Sequence, residues 1–217
     1  MENTRNVRFH TGKMVRLAVL VAIVIVMANT FLGFLPIGPV TVTLLPIPVA
    51  IAAIAVGPTG GAIAGAVFGL TAFLRGFGLN LLGPSPLVIG LMSIDPFLTF
   101  IVMVVPRIFV GLIPGLIYRA LCEKKGKTSA TLVACLAAPL LNTVLFLGTL
   151  GLLFGNTEFY IGDSATTASA IIGAVVLINV LIEAIVGFII GSAISRTLVH
   201  FFPGKIKNSG RKKEAAV

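Results

Sequence analysis

The stretch FIVMVVPRIFVGLIPGLIYR, residues 100–119, decides how the rest of the chain is read. At about 1.5 Å of helical rise per residue it reaches about 30 Å, the thickness of a bilayer's hydrocarbon core. One guanidinium, Arg107, stands near its middle, directly after Pro106. An arginine inside hydrocarbon costs about 3 kcal/mol or more, so it requires a partner or a ligand. The fold therefore turns on membrane spans, and the function on what Arg107 meets.

The remaining sequence agrees with a bilayer environment. The chain has 217 residues, 57% of them hydrophobic and 11% charged, with a mean hydropathy of +1.10. That is far more apolar than a soluble core with a wettable surface. Several apolar runs have the length of a span, and alternating segments of the barrel type are absent, so the expected class is an all-α integral membrane protein. The net charge of +9 lies in short segments beside the apolar runs and not along a helix face with interleaved aromatics, which excludes a nucleic-acid-binding surface. The N-terminus, MENTRNVRFHTGKMVRL, starts like a signal peptide, but the apolar run that follows is long and lacks a small-residue cleavage site. It is kept as the first span.

Six spans are expected: residues 17–34, a short one at 43–56, then 59–74, 96–121, 131–154 and 168–199. They form one membrane domain over 17–199, between a cytoplasmic N-terminal segment, 1–16, and a basic cytoplasmic tail, 200–217. GFLPIGPVTVTLLPIP, residues 33–48, carries four prolines and two glycines and is expected as an outer loop. Gly57-Pro58 stops the second span. Gly61, Gly65 and Gly69 give the third a four-residue glycine stripe for close helix contact. GFGLNLLGPSPLVIGLMSID, residues 76–95, is too long and too uncharged for a plain connection and is expected as a lid over an outward-facing cavity. Proline within 96–121 removes a backbone donor and exposes a carbonyl one turn earlier, which would bend the helix near Arg107.

Charge sets the orientation. Of the sixteen Lys and Arg residues, fourteen fall on one side of these spans and only Arg75 and Arg107 do not, while Asp95, Glu158 and Asp163 fall on the other side. Both termini are therefore expected in the cytoplasm, which requires an even number of spans.

Counting from the outer ends at about 1.5 Å per residue, Arg107 lies about 16 Å deep, Asn142 about 18 Å, Asn179 about 16 Å and Glu183 about 22 Å. They share one layer, and Asn179 and Glu183, four residues apart, share one helix face. Two readings fit. Arg107 ion-pairs with Glu183 and ties two helices together, or it takes the anionic group of a small ligand in the fork geometry that suits a guanidinium, with Glu183 behind it. Asn142 and Asn179 can line a pocket or bond between helices. On helix 1, Ala18 and Ala22 admit another helix at close range, from this chain or from a partner. Gly126-Lys127-Thr128 mimics the end of a phosphate loop, but Leu121 stands where that loop needs glycine, so no ATPase site is expected. His10 and His200 are too far apart in sequence for a metal pair, no Ser, Cys or Asp is placed beside a histidine, and Cys122 and Cys135 suggest no disulfide or metal site. No cofactor is expected.

With GFLPIGPVTVTLLPIPV, AIAVGPTGGAIAGAVFGL, VPRIFVGLIPGLIY and LLNTVL in view, the chain resembles the S components, the substrate-binding membrane subunits of energy-coupling factor (ECF) vitamin transporters. The likeness covers nearly its whole length and is strongest to the pantothenate-specific branch. The resemblance implies a six-helix bundle in a prokaryotic cell membrane that binds a vitamin beneath its outer loops. It also implies docking on a membrane coupling protein driven by two cytoplasmic ATPases. Position by position, it implies Arg107 and Asn142 as ligand contacts, Asn80 as a further contact from the lid, and Ala18 and Ala22 as docking residues. An S component for another vitamin, a self-sufficient secondary transporter and a membrane assembly protein are the alternatives. Against the secondary transporter stand the lack of an inverted three-helix repeat and of protonatable groups beyond Glu183.

Overall fold

The computed structural model describes residues 2–37, 40–79, 81, 83–155, 157–161 and 164–167, with the single positions 185, 189 and 193. In chain order these form α1 (Glu2–Ala28), a hairpin of β1 (Phe34–Ile37) and β2 (Val40–Thr43), α2 (Pro46–Ala55), α3 (Pro58–Leu74) and a 3-10 turn (Arg75–Phe77). There follow α4 (Pro86–Ile94), α5 (Pro96–Lys125), α6 (Lys127–Phe154) and a second hairpin of β3 (Glu158–Ile161) and β4 (Ser164–Thr167). The expected sixth span, with Asn179 and Glu183, lies outside the described residues, as do Asn80 and the basic tail.

Among the described residues, four helical segments are long and apolar enough to cross a bilayer: Thr11–Ala28, Pro58–Phe77, Pro96–Lys124 and Lys127–Phe154. The helix at the expected second span, 43–56, is shorter still. α2 has 10 residues and rises only about 15 Å, half a hydrocarbon core. It lies against α1, α3, α5 and α6, with Ile47, Val49, Ala50, Ala52 and Ala53 buried. α1 is helical from Glu2 and turns at Asn29, whose Nδ2 donates back to the Ile25 carbonyl at 2.8 Å. The first span therefore ends earlier than the sequence suggests. The connection at 76–95 is also more regular than expected: α4 sends Val88 and Leu91 into the core beside Val24 and Ala28 of α1.

The two loops expected on the outer side form short hairpins within a mostly helical chain. β1 pairs with β2 antiparallel from Phe34↔Thr43 to Ile37↔Val40, and β3 with β4 from Glu158↔Thr167 to Ile161↔Ser164. Prolines argued against a helix at 33–48, and they tolerate a two-stranded ribbon because each strand has a free edge. VTVT at 40–43 supplies the β-branched side chains that favour strands. Pairing also satisfies backbone groups next to a bilayer, where an open loop would leave them unbonded.

The glycine stripe of α3 seats α5. A Cβ at Gly65 would meet the backbone carbonyl of Arg107, one at Gly61 that of Gly111, and one at Gly69 would stand 2.7 Å from the Val104 Cα. At the other end of the register, a Cβ at Gly115 would stand 2.7 Å from the Pro58 Cα. The two helices run antiparallel with backbones in contact, which in a bilayer supplies the dispersion energy that a hydrophobic drive cannot. Gly57 (φ 117°) and Gly126 (φ 84°) make the turns into α3 and α6, where left-handed backbone excludes most residues. α5 begins on an Asp95 cap whose Oδ1 accepts from the amides of Phe97 at 2.8 Å and Leu98 at 3.1 Å, satisfying two donors that the first helical turn leaves unpaired. This antiparallel order gathers both hairpins, the 3-10 turn and α4 at one end of the bundle. The basic turn from Lys124 to Lys127 lies at the other.

Candidate ligand-binding site

Arg107 is buried in the middle of the bundle, 7% exposed. α5 runs unbroken through Pro106 and Pro114. Pro106 has no N–H to give the Val102 carbonyl four residues earlier. The Arg107 side chain fills that vacancy: its Nη1 donates to the Val102 oxygen at 2.8 Å. The carbonyl that the sequence places in the bundle interior thus becomes the anchor of the guanidinium and turns it towards the hairpin end of α5. Two aromatic rings hold its faces, with the guanidinium carbon 4.3 Å from the centre of Phe146 on α6 and 5.6 Å from that of Phe68 on α3. Stacking uses the face of a guanidinium and leaves its in-plane donors for other partners.

One of those donors is unused. The Arg107 Nε is buried without a hydrogen-bond partner, and so are the Asn142 Oδ1 and the Arg75 Nε. Buried polar atoms are ordinarily paired, and each orphan costs about 1–3 kcal/mol. Asn142, 5% exposed, lies one turn from Phe146 on α6, so the two side chains share a helix face. The Phe146 ring in turn touches Arg107. α5 starts at Pro96 and α6 ends at Phe154, as the depth count assumes, so Arg107 and Asn142 stay in the same layer. Two orphaned N–H donors and one orphaned carbonyl acceptor in this half of the bundle match an anion that also carries a hydroxyl or amide hydrogen.

Of the residues singled out in the sequence, Arg107 and Asn142 are both buried, Arg107 against Phe146 and Asn142 one helical turn from that ring. Asn80, Asn179 and Glu183 lie outside the described residues. Ala18 and Ala22 are both exposed on α1, on a face that also presents Val15, Val19 and Val26. Phe68, Phe146 and Arg75 were not singled out. Phe146 stands four residues after Asn142 and Phe68 three after Gly65, so helical spacing could have marked both. Arg75 was visible as the second arginine left over by the charge count.

A bundle of spanning helices with the Arg107 guanidinium clamped in its apolar interior, capped at one end by hairpins and a short helix, is a multi-pass membrane protein with a candidate small-solute site. Its sequence places it more closely. The profile of the family described as "ECF transporter, substrate-specific component" matches residues 12–195, and the chain belongs to that family of transport subunits. It is 34% identical over 161 residues to the pantothenic acid transporter PanT of Lactococcus lactis subsp. cremoris, covering 72% of this chain and 76% of the relative. It is also 34% identical over 180 residues to the pantothenate transporter PanT of Leuconostoc mesenteroides subsp. mesenteroides, covering 78% and 82%.

Proposed function

We propose that this chain captures pantothenate from outside a prokaryotic cell and delivers it inward as the substrate-binding subunit of an ECF-type importer. The observation that carries this reading is the buried Arg107 guanidinium, held by Val102, Phe68 and Phe146 with its Nε edge unpaired. A carboxylate accepts from such an edge in a charge-assisted pair, and in an apolar surround that pair is stronger than in water. The Asn142 Oδ1 accepts from a hydroxyl or amide of the same molecule. Pantothenate has all three groups, and the two relatives are named as its transporters. Asn80 and Asn179 complete the polar contacts, and Glu183 orients Arg107 from behind.

In this reading six helices make up the membrane domain, the short α2 returning the chain from the first hairpin to the start of α3, with both termini in the cytoplasm, on the side of the basic turn. Ala18 and Ala22 dock on a membrane coupling protein. The exposed α1 face around them, bare of large side chains at those two positions, suits close helix approach. Two cytoplasmic ATPases supply the energy. This chain supplies no ATPase site in this reading, since Leu121 stands where a phosphate loop needs glycine and Gly126 is the turn between α5 and α6.

Calorimetric titration of the detergent-purified protein with a panel of vitamins tests the substrate. Tight binding of another vitamin with silence for pantothenate refutes it. In the same assay Arg107→Gln abolishes pantothenate binding while the protein stays monodisperse. Retained affinity in that variant would reduce Arg107 to a structural tie.

A further inference from the structure

Arg75 closes α3 at the hairpin end of the bundle. Its backbone carbonyl accepts from the amides of Gly78 at 3.3 Å and Ser85 at 3.2 Å, which fixes it to the segment leading into α4. Its guanidinium carbon lies 4.2 Å over the ring of Phe34, the first residue of β1. One residue thus joins two of the segments that cap the bundle, one through its backbone and the other through its side chain. The contact with Phe34 uses only the face of the guanidinium, and the Nε is buried with no hydrogen-bond partner. Arg75 repeats, nearer the surface, the arrangement of Arg107: a planar cation stacked on phenylalanine with an unpaired edge.

The two cations are in line. Phe68, which carries one face of Arg107, and Arg75 are seven residues apart on α3, two helical turns on the same side and about 10 Å along the axis. By the charge count they are the only two Lys or Arg residues away from the basic end of the chain. A carboxylate approaching through the capping segments therefore meets Arg75 first and Arg107 second.

We propose that Arg75 is a capture residue at the mouth of the site: it takes the carboxylate of the incoming solute on its free edge while stacked on Phe34, and hands it to Arg107. The proposal rests on the reading of Arg107 as the carboxylate's final partner. Steering by a charge at the mouth acts on the association rate and weakens with salt, whereas the inner contact sets the dissociation rate.

The test is rapid mixing of the purified full-length protein with labelled pantothenate at several salt concentrations. Arg75→Gln should slow association about tenfold at low ionic strength and flatten its salt dependence, leaving dissociation within about twofold of the native rate. Arg75→Lys keeps the charge and should associate at close to the native rate. Pantothenol, with an alcohol in place of the carboxylate, should not distinguish Arg75→Gln from the native protein. Native association and salt dependence in Arg75→Gln would overturn the proposal, as would equal losses in the Lys and Gln variants, which would assign the effect to packing on Phe34. Arg107→Gln is measured alongside. If it loses binding while Arg75→Gln is native, the capture role fails and the inner site stands. If it binds as tightly as the native protein while Arg75→Gln is slowed, the inner assignment fails and the capture role stands.

Discussion

The contact between α3 and α5 makes a quantitative prediction through Gly69→Ala. The added Cβ would stand 2.7 Å from the Val104 Cα and 2.8 Å from the Met103 carbonyl oxygen. Carbon atoms pack at about 3.5 Å or more, so the helices must part by about 0.8 Å. The obstacle is backbone, which has no rotamer to yield. Such overpacking costs about 1–3 kcal/mol. Alanine's helix preference over glycine returns about 1 kcal/mol, for a net loss of up to about 2 kcal/mol. At about 2–4 °C per kcal/mol for a chain of this size, melting should fall by up to about 8 °C. The same Cβ stands 3.3 Å from that of Arg107, so parting the helices also shifts the guanidinium against Phe68 and weakens solute binding. Gly148→Ala is the control. Nothing lies within 4 Å of its added Cβ, so only the propensity gain remains and melting should hold or rise. The assay is thermal unfolding in detergent, paired with calorimetric titration. A Gly69→Ala protein that melts and binds like the native one, or a Gly148→Ala protein that loses as much, would refute the claim that the stripe works by excluding Cβ atoms from α5.

Other outcomes follow from single contacts. Pro106→Ala restores an N–H for the Val102 carbonyl and removes an interior proline that costs a helix about 3 kcal/mol. Melting should rise while solute affinity falls, because Arg107 loses sole claim to its anchor; unchanged affinity would show that the 2.8 Å bond does not position the guanidinium. Phe146→Leu keeps bulk and loses the ring 4.3 Å from Arg107. A cation–π contact of about 0.5–2 kcal/mol predicts affinity lower by about two- to thirty-fold in titration. Asp95→Ala removes the cap of α5 and should cost about 1 kcal/mol of stability, read as a lower melting temperature with the dissociation rate of the solute unchanged.

The long helices at 59–74, 96–121 and 131–154, the glycine stripe and the buried arginine were legible in the sequence because each rests on a local rule. Hydrocarbon thickness fixes the length of an apolar run, and a glycine every fourth residue marks one helix face whatever lies opposite. Depth counting placed Arg107 and Asn142 in one layer for the same reason, since rise per residue does not depend on neighbours. The hairpins were not legible. Proline counting at 33–48 excluded a helix but could not choose between an irregular loop and a ribbon, which depends on pairing partners several residues apart. α2 is shorter than the helix read at 43–56 because composition does not reveal that Thr43 ends a strand and that the helix starts only at Pro46.

By itself, the sequence determined that this chain is built of helices long and apolar enough to span a membrane, and that one cation must be buried among them. Those follow from the free energy of placing each side chain in hydrocarbon, a property of the residue and its near neighbours. Only the tertiary structure decided how that cation is held: on the carbonyl vacated by Pro106, between Phe68 of α3 and Phe146 of α6, with one edge left unpaired. Phe68 and Phe146 come from helices distant in sequence, and their convergence on Arg107 depends on the backbone contact of α3 with α5 and the single-residue turn at Gly126.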